Sequence, residues 1–291
     1  MDAATGAPPG TGASEQAEEI IFQNASVRVA LKGGRLTSLK DAVRSLEHVS
    51  GAADSLPGLF NVRLLKNASP AGKVDATEMS CRVVSRTNTE LELAFEHTLA
   101  TARVRLGQGQ SPGETHWSIS VQPKDPALTI GQVAFPVFAT PLTAGAENKT
   151  YLSPVLEGRL LPLRGTQSNW PRYPADAFAQ LMARLSPERG FLLWTDDGQG
   201  EVKAIGFDRR KQTAAFGVRH FMTYKRGETW KSPYRVRLSF CGAAWQDAAD
   251  IYRAWATAQP WCNIALRDRR DVPELLLHPP VYFLANRQRE S

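Results

Sequence analysis

The run ELELAFEHTLATARVRLGQGQSPGETHWSISV, residues Glu90–Val121, decides the fold. Leu91, Leu93 and Phe95 alternate with Glu90, Glu92 and Glu96. Ala102, Val104 and Leu106 then alternate with Arg103 and Arg105, and Trp117, Ile119 and Val121 share one side of a third segment. A period of two places one face of each segment on a core and the other in water, as half-buried antiparallel strands require. The same alternation occurs earlier, at Val27, Val29 and Leu31 with Arg28 opposite. There Lys32-Gly33-Gly34-Arg35 predicts a hairpin into Leu36–Leu39, because glycine supplies the positive φ that tight hairpin turns need.

Further strands are expected over Leu59–Leu65, Met79–Ser85, Ile130–Phe138, Phe191–Thr195, Val202–Phe207, Arg219–Tyr224 and Tyr234–Phe240. Ser186–Gly190 and Asp196–Gly200 read as turns between them. Many short strands with almost no helical pattern between them predict an all-β chain, a large antiparallel β-sandwich of more than about a dozen strands. Between Thr140 and Pro174 the alternation loosens around five prolines, which predicts long loops across one edge of the sandwich. One helix is expected at about residues 245–258. Trp245, Ala248, Ala249, Tyr252, Trp255 and Ala256 follow helical spacing, Asp247 and Asp250 suit the start of the helix dipole, and Pro260 stops it. Its aromatic stripe predicts docking onto the sandwich.

Composition narrows the class. The 291 residues are 42% hydrophobic and 22% charged, enough to bury roughly 75% of the unfolded surface. No apolar run approaches the roughly 18 residues of a membrane-spanning helix, which argues against a membrane protein. The net charge of +6 is concentrated between Glu201 and Phe240, where ten basic residues face three acidic ones. They are spread over several strands and turns without a run of five like charges, so they read as solvated strand faces and not as a nucleic-acid site. Cys81, Cys241 and Cys262 are far apart and form no Cys-x-x-Cys pair, so they are expected to be buried free thiols, with neither a disulfide framework nor a zinc site. Met1–Ala17, rich in Ala, Gly, Pro and Thr, reads as a flexible leader without the features of a signal peptide.

The sequence displays no catalytic signature of its own. Gly107-Gln108-Gly109 fails the dinucleotide pattern, no phosphate-binding Gly-Lys-Ser/Thr occurs, and there is no Gly-x-Ser-x-Gly elbow. His48, His97, His116, His220 and His278 are each isolated, so no metal pairing is expected, nor any cofactor. Asp196 and Asp197 are adjacent carboxylates in a glycine turn, where capping the turn competes with acid–base work. The most suggestive segment is Asn169-Trp170-Pro171-Arg172-Tyr173-Pro174. Trp170 and Tyr173 suit stacking on a sugar ring, and Asn169 and Arg172 suit its hydroxyls; the same residues also serve as packing anchors at an interface.

A family resemblance joins these segments. The opening Ile20–Asn24, Val27–Leu31 and Gly33–Leu39 resembles the first strands of sugar-enzyme N-terminal domains. With Trp170–Pro174, Ala177–Ala183, Gly190–Asp197, the helix Trp245–Ala256 and the step Gln259-Pro260-Trp261-Cys262, residues 18–275 resemble the galactose-mutarotase-like β-supersandwich at the N-terminus of large bacterial glycoside hydrolases related to α-galactosidases and endo-α-N-acetylgalactosaminidases. In that family the helix leads into a (β/α)8 barrel whose strand ends hold the catalytic carboxylates. The resemblance therefore implies a non-catalytic, carbohydrate-associated domain that supports a barrel and lends loops to its cleft. Residues 276–291, with Val281–Leu284 after Pro279-Pro280, are expected to be a truncated barrel start or a disordered tail, and no catalytic residue can be transferred. Two alternatives stand beside it: a stand-alone aldose-epimerase-like enzyme, and an interaction module without sugar affinity. A true epimerase needs a His base and a Glu in an Asn-His-x-Tyr-like segment; Glu96-His97-Thr98 is the nearest match and lacks the Asn.

Overall fold

The computed structural model describes residues 18–49, 55–142, 150–155, 158–163, 168–188, 190–210, 212–222, 225–262, 264–271 and 273. The leader, Tyr224 and the segment 276–291 lie outside them. In chain order the strands are β1 (Ile20–Gln23), β2 (Val27–Lys32), β3 (Arg35–Asp41), β4 (Leu46–Glu47), β5 (Asn61–Lys66), β6 (Ser69–Asp75), β7 (Ser80–Arg86), β8 (Glu90–Glu96), β9 (Ala100–Gln108), β10 (Glu114–Pro123), β11 (Thr129–Pro141), β12 (Thr150–Ser153), β13 (Arg159–Pro162), β14 (Arg172–Tyr173), β15 (Leu181–Leu185), β16 (Gly190–Thr195), β17 (Lys203–Arg209), β18 (Thr213–Phe221), β19 (Trp230–Lys231) and β20 (Val236–Cys241). One α-helix follows, α1 (Trp245–Ala256). The all-β expectation holds.

The strands form three antiparallel sheets. A ten-stranded sheet runs β13-β12-β15-β16-β20-β10-β9-β8-β7, with β19 pairing to β10. A six-stranded sheet runs β14-β17-β18-β11-β5-β6, and β1–β4 make a smaller third sheet. The alternating segments form one meander: Leu93 pairs with Val104, and Val104 with Ile119, so the apolar residues of β8, β9 and β10 share a face. Phe60, Phe95, Trp117, Phe138, Phe191 and Phe216 meet in the core. Gly33 and Gly34 turn β2 into β3 with φ of 53° and 72°, the left-handed pair the hairpin demands.

The loosened stretch 140–174 is not wholly loop, because β12, β13 and β14 lie in it. They are two to four residues long and broken by prolines, too short for a period to register. β15, β6 and the first half of β18 also escaped the reading. Leu181–Leu185 is buried on both faces and so shows no alternation, whereas Ser69–Asp75 is mostly exposed.

The helix docks as its stripe predicts, but Trp245 does not take part. It stands at the first helical position and remains 44% exposed. Ala248 is buried, and Ile251, Tyr252 and Trp255 pack on Leu181, Ala183, Leu192 and Trp194 on the outer face of the ten-stranded sheet. Two further expectations need correction. Cys241 is buried, but Cys81 is half-buried and Cys262 exposed. Among the basic residues of 201–240, Lys203 and Arg237 are buried, 0% and 5% exposed, because each has carboxylate partners inside.

Candidate functional site

Asn169–Tyr173 lies along the edge of the six-stranded sheet. Asn169 exchanges two backbone hydrogen bonds with Phe207, and Arg172 and Tyr173 pair with Ala204 and Lys203. The crossing is close: a β-carbon on Gly206 would fall 2.1 Å from the Asn169 carbonyl and 2.8 Å from Trp170 Cα. Only glycine fits there.

The four residues have different surroundings. Asn169 donates from Nδ2 to the buried Tyr151 hydroxyl at 3.0 Å. Trp170 is half-buried; its Nε1 donates to Asp208 at 2.8 Å, and the Arg219 guanidinium lies 3.7 Å from its ring centroid while also bonding Asp208 at 3.1 Å. Arg172 is exposed and pairs with Asp176 at 3.2 Å. Tyr173 is half-buried, with the Lys203 ammonium 4.8 Å from its ring centroid. The structure thus brings Asn169, Trp170, Arg172 and Tyr173 onto one rim. Of these, Tyr173 leads inward to a buried polar network.

Lys203 is the centre of that network. Its Nζ donates to Asp197 Oδ2 at 2.6 Å, to Gln180 Oε1 at 2.9 Å and to the Glu201 carbonyl at 2.6 Å. The Tyr234 ring lies 4.5 Å away on another side. Burial pushes the Lys203 pKa down, and the hydrogen bond and charge of Asp197 oppose that shift. Gln180, fully buried, also accepts from Thr195 Oγ1 at 2.7 Å, donates from Nε2 to the Asp197 carbonyl at 2.9 Å, and donates its backbone N–H to the Tyr252 hydroxyl of α1 at 3.2 Å. Asp197 caps the glycine turn as its neighbours suggest, accepting from the backbone N–H groups of Gln199, Gly200 and Glu201.

Behind Tyr234 lies His220, 1% exposed. One ring nitrogen is 2.7 Å from the Tyr234 hydroxyl and the other 2.7 Å from the Phe135 carbonyl. Desolvation lowers its pKa to about 4, so the imidazole is neutral near pH 7. A cavity of about 260 Å³ opens beside this network, walled by Trp230, Tyr234, Met222 and Glu201. No local sequence pattern joins Lys203, His220, Gln180 and Tyr234. Their one visible trace is a lysine opening an otherwise apolar strand, Lys203–Phe207.

Asp196 takes the opposite side of the strand end. It accepts from Arg235 at 2.9 Å and Arg237 at 3.0 Å on the outer face of the ten-stranded sheet, where Arg237 also pairs with Glu114. The two adjacent aspartates therefore face different layers and are not a catalytic pair. His97, the nearest match to an epimerase base, accepts the Leu99 N–H at Nδ1 and closes a local turn. Among the described residues no three His, Cys, Asp or Glu side chains gather as a metal site, and no helix is long and apolar enough to cross a membrane.

This architecture matches known structures. An α-N-acetylgalactosaminidase, NagBb of Bifidobacterium bifidum, superposes with a TM-score of 0.58 at 13% identity, over 82% of this chain and 38% of that one. The α-galactosidase AgaB of Geobacillus stearothermophilus, a GH36 enzyme, gives 0.54 at 9% identity, over 86% of this chain and 43% of that one. A candidate aldose 1-epimerase of Escherichia coli K12 gives 0.56 at 9% identity, over 77% of this chain and 99% of that one. No protein-family model and no curated protein matches the sequence. The chain therefore has the galactose-mutarotase-like β-supersandwich fold, as the sequence resemblance implied. It spans about two fifths of the length of the two glycosidases it resembles.

Proposed function

We propose that the chain is a non-catalytic, carbohydrate-associated domain of a glycoside hydrolase. In this reading residues 18–275 form the unit that supports a (β/α)8 barrel, with Asn169, Trp170, Arg172 and Tyr173 as the sugar-contacting rim. The observation that carries it is the commitment of the buried ionisable groups near that rim. A general base needs a free nitrogen or oxygen within reach of substrate. Both nitrogens of His220 are within hydrogen-bond distance of protein oxygens, and Lys203 donates to three protein oxygens. Such a network stiffens the domain end and leaves the rim to bind.

The stand-alone epimerase reading is favoured by one finding, the match over 99% of a candidate aldose 1-epimerase. Purified chain incubated with freshly dissolved α-D-galactose and followed by NMR tests both readings. The expected outcome is anomer exchange at the background rate, with no hydrolysis of aryl α-galactosides. Exchange above background that is lost on substituting an Asp, Glu or His of this chain would replace the first reading with the second. Trp170→Ala is expected to weaken galactoside binding by about 1–3 kcal/mol, measured by calorimetry.

A further inference from the structure

The outer face of the ten-stranded sheet carries a second polar centre, on a different layer from the rim. Pairing of β16, β20 and β10 sets Trp194 beside Arg237, and Ser239 beside Glu114. Helix α1 crosses above them, with Trp255 5.7 Å from Trp194 between ring centroids. Between helix and sheet is a cavity of about 250 Å³, whose walls include Trp255, Ala254, Ser239, Glu114 and Arg237. The turn at Gln110–Pro112 completes it. Gly109 is required by this arrangement, because a β-carbon there would stand 2.4 Å from the Glu114 side chain.

The chemistry of the cavity is specific. Glu114 and Arg237 are each 5% exposed and paired through Oε1, which also accepts the Gln110 N–H at 3.4 Å. The second carboxylate oxygen of Glu114 is not one of the sealed polar atoms that lack a partner, and Glu114 lines the cavity. A carboxylate oxygen that lines the cavity is an acceptor open to a donor from outside the chain. The surrounding charges cancel: Arg235 and Arg237 face Asp196 and Glu114. A balanced site selects neither a cation nor an anion. It offers an acceptor, the Ser239 hydroxyl and a half-buried indole wall.

We infer that this pocket binds a neutral polyhydroxylated ring, a monosaccharide unit, with a ring hydroxyl donating to Glu114 and an apolar ring face against Trp255. The site is separate from the Asn169–Tyr173 rim and does not depend on it. The test is a titration of the full chain with D-galactose, N-acetyl-D-galactosamine and D-glucose, read by saturation-transfer NMR and tryptophan fluorescence. Ala254 is exposed on the helix, so Ala254→Phe fills the cavity without entering the core. It is expected to weaken binding by about tenfold or more with an unchanged unfolding midpoint. Glu114→Gln, which keeps the shape and removes the charged acceptor, is expected to weaken it by a comparable factor. No saturation transfer from any of the three sugars overturns the inference, as does binding that both variants leave intact. Binding lost in Trp170→Ala but retained in Ala254→Phe overturns the pocket and leaves the rim standing.

Discussion

Asp196 and Asp197 are neighbours in sequence and live in different molecules, physically speaking. Asp197 turns inward and meets an ammonium that has no access to water, Lys203 at 0% exposure. Asp196 turns outward and meets two guanidinium groups, one of them, Arg235, half in solvent. The strand alternation at the end of β16 makes the separation, since successive side chains leave a strand on opposite faces. The comparison teaches that a carboxylate's role here follows from the layer it enters and not from its neighbour in the chain. The inner carboxylate is sealed in with Lys203, whereas the outer one holds Arg237, which lines a pocket.

The largest effect expected from breaking this comparison is at Asp197. Asp197→Ala leaves Lys203 buried without its counter-ion and should cost about 3–5 kcal/mol in denaturant unfolding. Lys203→Met combined with Asp197→Leu should recover part of that loss, because a paired charge is cheap to replace as a pair, while the backbone N–H groups of Gln199, Gly200 and Glu201 lose their acceptor in both variants. A cost for Asp197→Ala no larger than for Asp196→Ala would refute the distinction.

Acid should find the inner end next. His220 is held near pKa 4 against 6.5 for the free side chain, facing Lys203 and Tyr234. His48, beside Phe191 and Phe240, is also near 4: burial lowers its pKa most, Arg184 lowers it further and Asp41 opposes the shift. Above pH 6.5 both imidazoles are neutral folded and unfolded, and they add no pH dependence. From pH 6.5 down to about 4 the unfolded chain takes up protons the folded chain refuses, so stability falls through that window and levels off below it. Each histidine should contribute a loss of roughly 3 kcal/mol, and His220→Gln should flatten its share of the slope. Unfolding midpoints that stay constant between pH 6.5 and 4.5 would contradict this.

The smallest effect is at Asp196. Arg237 keeps Glu114 when Asp196 is lost, and Arg235 reaches water. Asp196→Ala should therefore cost about 1–2 kcal/mol, with the same pH profile as the parent.

What the sequence reveals of this fold depends on exposure. β8, β9 and β10 each have one face in water, so their period of two is written in charges such as Glu92, Arg103 and Arg105. The β2–β3 turn is written in its two glycines. β15 is buried throughout, and its LMARL carries no period to read. The rim at Asn169–Tyr173 was legible as a cluster of aromatic and polar residues, but not the Arg219 that lies over Trp170, 49 positions on. The Lys203 network joins residues 180, 197, 203, 220 and 234 from strands and the turns beside them, and no local pattern announces it. Even so, the turn-capping role of Asp197 followed from its glycines.

The hydrogen bond from Gln180 to Tyr252 has a mechanical meaning. Gln180 is one rigid block with Thr195, Asp197 and Lys203, because each of its side-chain polar atoms is already committed to one of them. Tyr252 attaches α1 to that block through a single oxygen, and Trp194 and Trp255 brace the same helix from the side. A pull or twist applied along α1 is therefore carried into the sealed end of the sandwich and not absorbed at the helix surface. Whatever is coupled to this helix is coupled, through one phenol and one glutamine, to a lysine that never touches water.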